Sequence, residues 1–148
     1  MKRYLLIAVA ALYAALAGFT STQAAPTWFN NEVVMQLGTS SNDLVIAPAE
    51  LDFQAGKSYK LIITNPSKVT HVLSMPEFGQ AVLTAGVDVR GDKVNRSAYR
   101  VFPGYKVEVQ PGETAEWRFE PVAVGSYWVM CGSPTHAKAG MKAKIVVR

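Results

Sequence analysis

From residue 32 onward, apolar side chains fall in short runs and period-two alternations, not in the three-and-four spacing of an amphipathic helix. Residues 32–37 (EVVMQL), 44–46, 51–53, 59–64 (YKLIIT) and 69–75 each read as a strand, because β-branched and aromatic side chains suit a pleated, half-buried surface. Residues 105–109 alternate, with Tyr105, Val107 and Val109 on one face and Lys106 and Glu108 on the other. Residues 114–119 do the same, with Ala115, Trp117 and Phe119 turned inward. Residues 126–131 and 141–147 are two further strands. Asn65-Pro66-Ser67, Gly91-Asp92, Pro111-Gly112 and Gly125 punctuate these runs. Residues 77–83 read as one or two helical turns weakened by Gly79, and residues 88–99 as a polar stretch with a turn. Seven to eight short strands without a long amphipathic helix predict an all-β sandwich.

The first 24 residues have a different pattern. Lys2 and Arg3 precede an uncharged apolar stretch over residues 4–19, then polar Ser21, Thr22 and Gln23 and small Ala24 and Ala25. This is the layout of a bacterial secretory signal peptide cut between Ala24 and Ala25. The apolar stretch is shorter than the ~20 residues of a spanning helix, so membrane attachment is expected only through an uncleaved leader. The domain assignment is therefore a leader over 1–24 and one domain over 25–148, placed in the periplasm and expected to be a monomer.

Charge narrows the function classes. The 148 residues carry a net charge of +4, but Lys2 and Arg3 belong to the leader. No basic stripe interleaved with aromatics remains after it, so nucleic acid is not an expected partner. The chain has one cysteine and two histidines. A single cysteine excludes internal disulfides, CxxC redox motifs and iron–sulfur clusters, and a lone thiol in an oxidising compartment is best explained if buried or metal-bound.

That scarcity concentrates the chemistry in residues 126–147, where Cys131, His136 and Met141 follow a Cys-x4-His-x4-Met spacing. Taken singly, each has a plain reading: an inert buried cysteine, a surface histidine and a methionine filling the core, as for Met35, Met75 and Met130. Together they place a thiolate, an imidazole and a thioether on one inter-strand loop. This soft set suits copper better than zinc. His71, on a separate strand, supplies the fourth donor. Two His, one Cys and an axial Met make an electron-transfer copper site, with no open position for a substrate. The expected protein is therefore not an enzyme.

The sequence resembles the cupredoxins, the small blue copper proteins that include plastocyanin, azurin, pseudoazurin and rusticyanin. The matching features are Asn65-Pro66-Ser67 before His71, Pro111-Gly112-Glu113 before a Trp-containing strand, and Gly125-Ser126-Tyr127 before Cys131. The resemblance implies a Greek-key sandwich holding one type 1 copper through His71, Cys131, His136 and Met141. The long Cys-to-His spacing is similar to that of rusticyanin or azurin, and the nearest subgroup is the bacterial plastocyanin/azurin-like copper-binding proteins. Three positions depart from the pattern: Thr135 where Gly often precedes the second histidine, Val72 where Asn or Ser often follows the first, and Ala143 where Gly often stands two residues after the methionine. The implied function is one-electron transfer to a protein redox partner such as a cytochrome, oxidase or reductase. The alternative is a periplasmic copper carrier, buffer or resistance protein using the same residues.

Overall fold

The computed structural model describes residues 30–91, 95–97 and 106–148. The expected leader and Tyr105 lie outside them. In chain order the elements are β1 (Asn31–Leu37), β2 (Ile46–Ala47), β3 (Glu50–Phe53), β4 (Tyr59–Thr64), β5 (His71–Ser74), α1 (Pro76–Gln80), β6 (Val82–Arg90), β7 (Asn95–Ser97), β8 (Lys106–Val109), β9 (Thr114–Pro121), β10 (Gly125–Cys131), α2 (Pro134–Lys138) and β11 (Lys142–Val147).

The period-two stretches pleat as the sequence requires. In β4, β9 and β11 every second side chain is buried, so each strand supplies one wall of a core and one outer face. The strands form two sheets, ordered β2-β1-β4-β9-β6-β7 and β3-β11-β10-β5-β8. Two pairings are parallel, β1 with β4 and β3 with β11; the others are antiparallel. Consecutive strands such as β4 and β5, or β9 and β10, lie in different sheets, so the chain crosses repeatedly from one layer to the other. This is the expected all-β sandwich.

The core between the sheets is aromatic at its centre. Trp117 and Phe119 are fully buried, and Phe78 enters from α1. Phe78 meets both in edge-to-face geometry, at centroid distances of 5.6 and 5.4 Å. The Trp117 indole N–H donates to Thr84 Oγ1 at 3.1 Å, satisfying its one polar atom. Burying side chains of this size contributes about 1.5–3 kcal/mol each, so the interior has its own driving force.

Eleven strand segments exceed the expected seven to eight among the described residues. Helicity over 77–83 holds only to Gln80, after which β6 runs nine residues into the stretch read as polar. A register irregularity between Thr84 and Gly86 breaks its alternation, and Val87 and Val89 turn inward only beyond it. β2 and β7 have two and three residues. Met130 is not core filler: it is 40% exposed, because it follows inward Val129 on the opposite face of β10. Trp128 shares that outer face, under the Lys142 ammonium at 4.8 Å. No helix of the described residues is long and apolar enough to cross a membrane.

Candidate metal centre

Strand register brings the first two donors together. β5 and β10 are antiparallel with Cys131 opposite Leu73. His71, two residues from Leu73, therefore shares its inward face and lies at the same end of the sheet as Cys131. Both side chains are buried, each 1% exposed. One step further along the ladder, the Gly132 N–H donates to the Val72 carbonyl at 2.6 Å. Val72 lacks the polar side chain that often follows the first ligand histidine, yet its backbone ties the two donor segments together.

His136 arrives on α2. Pro134 opens this single turn with its φ already helical and no N–H to leave unpaired. The turn ends at Gly140, whose φ of +86° is left-handed. Around it the Gly140 N–H donates to the Ala137 carbonyl at 3.0 Å and the Met141 N–H to the His136 carbonyl at 3.1 Å. These are the two bonds of a Schellman motif. The Cys131 N–H then donates to the Met141 carbonyl at 3.0 Å. The Cys-x4-His-x4-Met spacing thus corresponds to one helical turn, its glycine cap and a return to the strand, with Met141 bonded through its backbone to both other residues.

The donor atoms of His71, Cys131 and His136 all lie within 4.8 Å of one another. The Cys131 sulfur is 3.8 Å from Nδ1 of His71 and 3.4 Å from Nδ1 of His136. The imidazole centroids are 5.1 Å apart. Met141 is fully buried, whereas His136 is partly exposed. Burial, and secondarily the neighbouring His136, hold the His71 pKa below its ordinary 6.5, which favours the neutral form that a metal ligand needs.

The donors fit copper. A cysteine sulfur and one nitrogen from each of two imidazoles converge, and the set is too poor in cysteine and carboxylate to favour zinc. Among the described residues this is the one cluster of three such groups.

The sequence marked Asn65-Pro66-Ser67 before His71 but assigned its side chains no role behind that imidazole. Asn65 and Ser67, read as a strand stop, are 1% and 3% exposed. Ser67 Oγ lies 3.1 Å from His71 Nε2. Asn65 Nδ2 donates to the carbonyls of Val69 and Val109, each at 2.8 Å. The available signal was a hydroxyl four residues before a candidate ligand histidine. Gly38 closes the other side, where a Cβ would stand 2.7 Å from the same Nε2.

Comparison with known proteins agrees with this geometry. No curated protein matches the sequence. Auracyanin B superposes with a TM-score of 0.54 at 19% identity, covering 80% of this chain and 88% of that one. Dithionite-reduced auracyanin from Roseiflexus castenholzii gives 0.55 at 17% identity, covering 81% and 98%. A Campylobacter jejuni multicopper oxidase gives 0.54 at 17% identity over 79% of this chain but 29% of its own. Residues 33–148 match the family described as copper binding proteins, plastocyanin/azurin family. With that span matched and the donors convergent, the chain belongs to the plastocyanin/azurin family of copper-binding proteins.

Proposed function

We propose that the protein is a secreted type 1 copper protein that carries single electrons between protein redox partners in the periplasm, with His71, Cys131, His136 and Met141 as ligands. The observation that carries this reading is the convergence of His71, Cys131 and His136 within 4.8 Å. Copper held there supplies one-electron exchange between Cu(I) and Cu(II). The residues supply a fixed frame. Cys131 and His71 are set by the β5–β10 register, and His136 and Met141 by the glycine-capped turn. Holding donors in one arrangement limits how far they rearrange when the metal's charge changes. The four-residue interval between Cys131 and His136 supports a loop of the rusticyanin type.

Burial favours transfer over storage. Three of the four proposed ligands are at most 1% exposed, whereas a carrier that hands over its metal needs accessible donors. His136 alone is partly exposed, amid exposed Pro134, Ala137 and Ala139. This edge is the proposed port for a cytochrome, oxidase or reductase, with exposed Lys138 beside it favouring an acidic partner. The leader over residues 1–24 supports export to the periplasm. Small, weak redox interfaces of this kind suit a monomer.

Visible absorption combined with voltammetry tests the reading. The oxidised copper-loaded protein is expected to show an intense thiolate-to-copper band and one reversible one-electron wave. Loss of both in Cys131→Ala supports the assignment. An unchanged band in that variant refutes it.

A further inference from the structure

We propose that Ser67 is a positioning residue for this centre: its hydroxyl accepts a hydrogen bond from the Nε2–H of His71 and thereby fixes the tautomer whose bare Nδ1 faces Cys131 and His136. The inference rests on the copper reading only for the use of that nitrogen; the tautomer follows from counting hydrogens.

The orientation of Asn65 comes first. Its Nδ2 sits 2.8 Å from two carbonyl oxygens, those of Val69 and Val109, and its Oδ1 accepts the Ser67 backbone N–H at 3.0 Å. A flipped amide would set an oxygen against two carbonyls and an NH2 against an N–H. Oδ1 therefore faces Ser67, and its distance to Ser67 Oγ is 2.7 Å.

Ser67 Oγ has a single hydrogen to give. Two of its neighbours only accept: Asn65 Oδ1 at 2.7 Å and the Val69 carbonyl at 3.0 Å. The Val69 N–H donates to it at 3.3 Å. If the hydroxyl hydrogen went to His71 Nε2, Oγ would face both acceptor oxygens with no hydrogen between. Each oxygen already accepts one N–H, from Ser67 and from Asn65 Nδ2, so neither would be orphaned; the cost is two oxygen–oxygen lone-pair contacts at 2.7 and 3.0 Å in place of one. Giving the hydrogen to either oxygen leaves Oγ as an acceptor, and the group 3.1 Å away must then donate. A neutral imidazole has one N–H, so Nδ1 is bare. A ligand histidine oriented through its second nitrogen is the arrangement that tunes metal sites, and losing the partner typically lowers metal affinity or activity about 10–100-fold.

Nitrogen NMR of the imidazoles in the metal-free protein tests the proposal, combined with a copper competition titration. In the wild type, His71 is expected to show a protonated, slowly exchanging Nε2 and an unprotonated Nδ1. In Ser67→Ala, that proton is expected to exchange fast with both tautomers populated, and copper affinity to fall about 10–100-fold. A wild-type His71 protonated at Nδ1 overturns the proposal, as does a Ser67→Ala variant with unchanged nitrogen signals or unchanged copper affinity. If that variant does not fold, the wild-type spectrum decides. Because the tautomer is read without metal, its failure is separable from a wild type that lacks the thiolate band, which would count against the copper reading instead.

Discussion

The backbone N–H of Met141 donates to the carbonyl of His136 at 3.1 Å. This one bond makes the two residues members of the same helix cap, so that neither moves without the other. It needs a left-handed residue between them, and Gly140 supplies it with φ of +86°. A Cβ at Gly140 would meet nothing within 4 Å. The requirement for glycine is therefore conformational and not steric.

Gly140→Ala is accordingly expected to cost about 1–2 kcal/mol, the penalty of a left-handed alanine. Gly140→Asn should cost less, since asparagine visits this region more readily. Thermal unfolding of the three metal-free proteins checks the order Gly, Asn, Ala. The alanine variant should also release copper faster in a chelator chase. Equal stability for the three would mean that the cap does not hold the loop.

Gly38→Ala should be worse, for two reasons that add. Its φ is +74°, carrying the same backbone penalty of about 1–2 kcal/mol. Its Cβ would also stand 2.7 Å from His71 Nε2 and 3.0 Å from Ser67 Cβ, and overpacking of this kind costs about 1–3 kcal/mol more. Gly56→Ala is the control, with a similar φ of +75° and open space around it. Denaturant melts should place Gly38→Ala clearly below Gly56→Ala, and the Gly38 variant alone should perturb the copper spectrum.

These two glycines show what was legible in the sequence. Gly140 can be placed from the sequence because it falls inside the spacing of the donor motif, directly before Met141. Gly38 cannot, because its partner is His71, 33 positions away, and only the strand packing brings them together. The same division runs through the fold. Strands with clean alternation, such as Tyr59–Thr64 and Thr114–Pro121, declared themselves. Val82–Arg90 did not, because the irregularity at Thr84/Gly86 resets which residues face inward. Pro134–Lys138 is too short for a helical period to register. The donors were visible through their rarity, two histidines and one cysteine. Asn65-Pro66-Ser67 was visible as a tripeptide before His71, but the part its polar side chains play was not, because that depends on the hydrogen bonds they make in the fold.

The metal-free protein should be folded and sensitive to mild acid. The aromatic core is complete without a metal, so copper adds stability by linkage, by about 4 kcal/mol at a free concentration of 1,000 Kd. His71 is held below its ordinary 6.5 by burial first and His136 second. The unfolded chain then takes up a proton at this site more readily than the folded one. Its stabilising contribution is present above 6.5 and is lost as pH falls from there toward the folded pKa. Proton NMR should give a His71 midpoint below 6.5, and denaturant melts should show stability falling across that same window. A midpoint at or above 6.5, or stability rising with acid there, would contradict the account.

Met141→Leu separates packing from coordination. Met141 is fully buried, and exchanging methionine for leucine in a core usually costs under about 1.5 kcal/mol, so the variant should fold. The thiolate of Cys131 and both imidazoles remain, so the charge-transfer band should survive. What changes is the thioether that Met141 would offer the metal. A polarisable thioether stabilises the more highly charged Cu(II) more than a leucine methyl group does. Losing it favours Cu(I), and the reduction potential should rise while the absorption maximum moves. Voltammetry and visible spectra of wild type and variant at one pH measure both. An unchanged potential with an unchanged spectrum would mean that the Met141 sulfur is not a ligand and that its part is the backbone clasp to Cys131 and His136. Met130 could not then take its place, because it lies on the outer face of the sheet; fully buried Met75 would be the methionine to replace next.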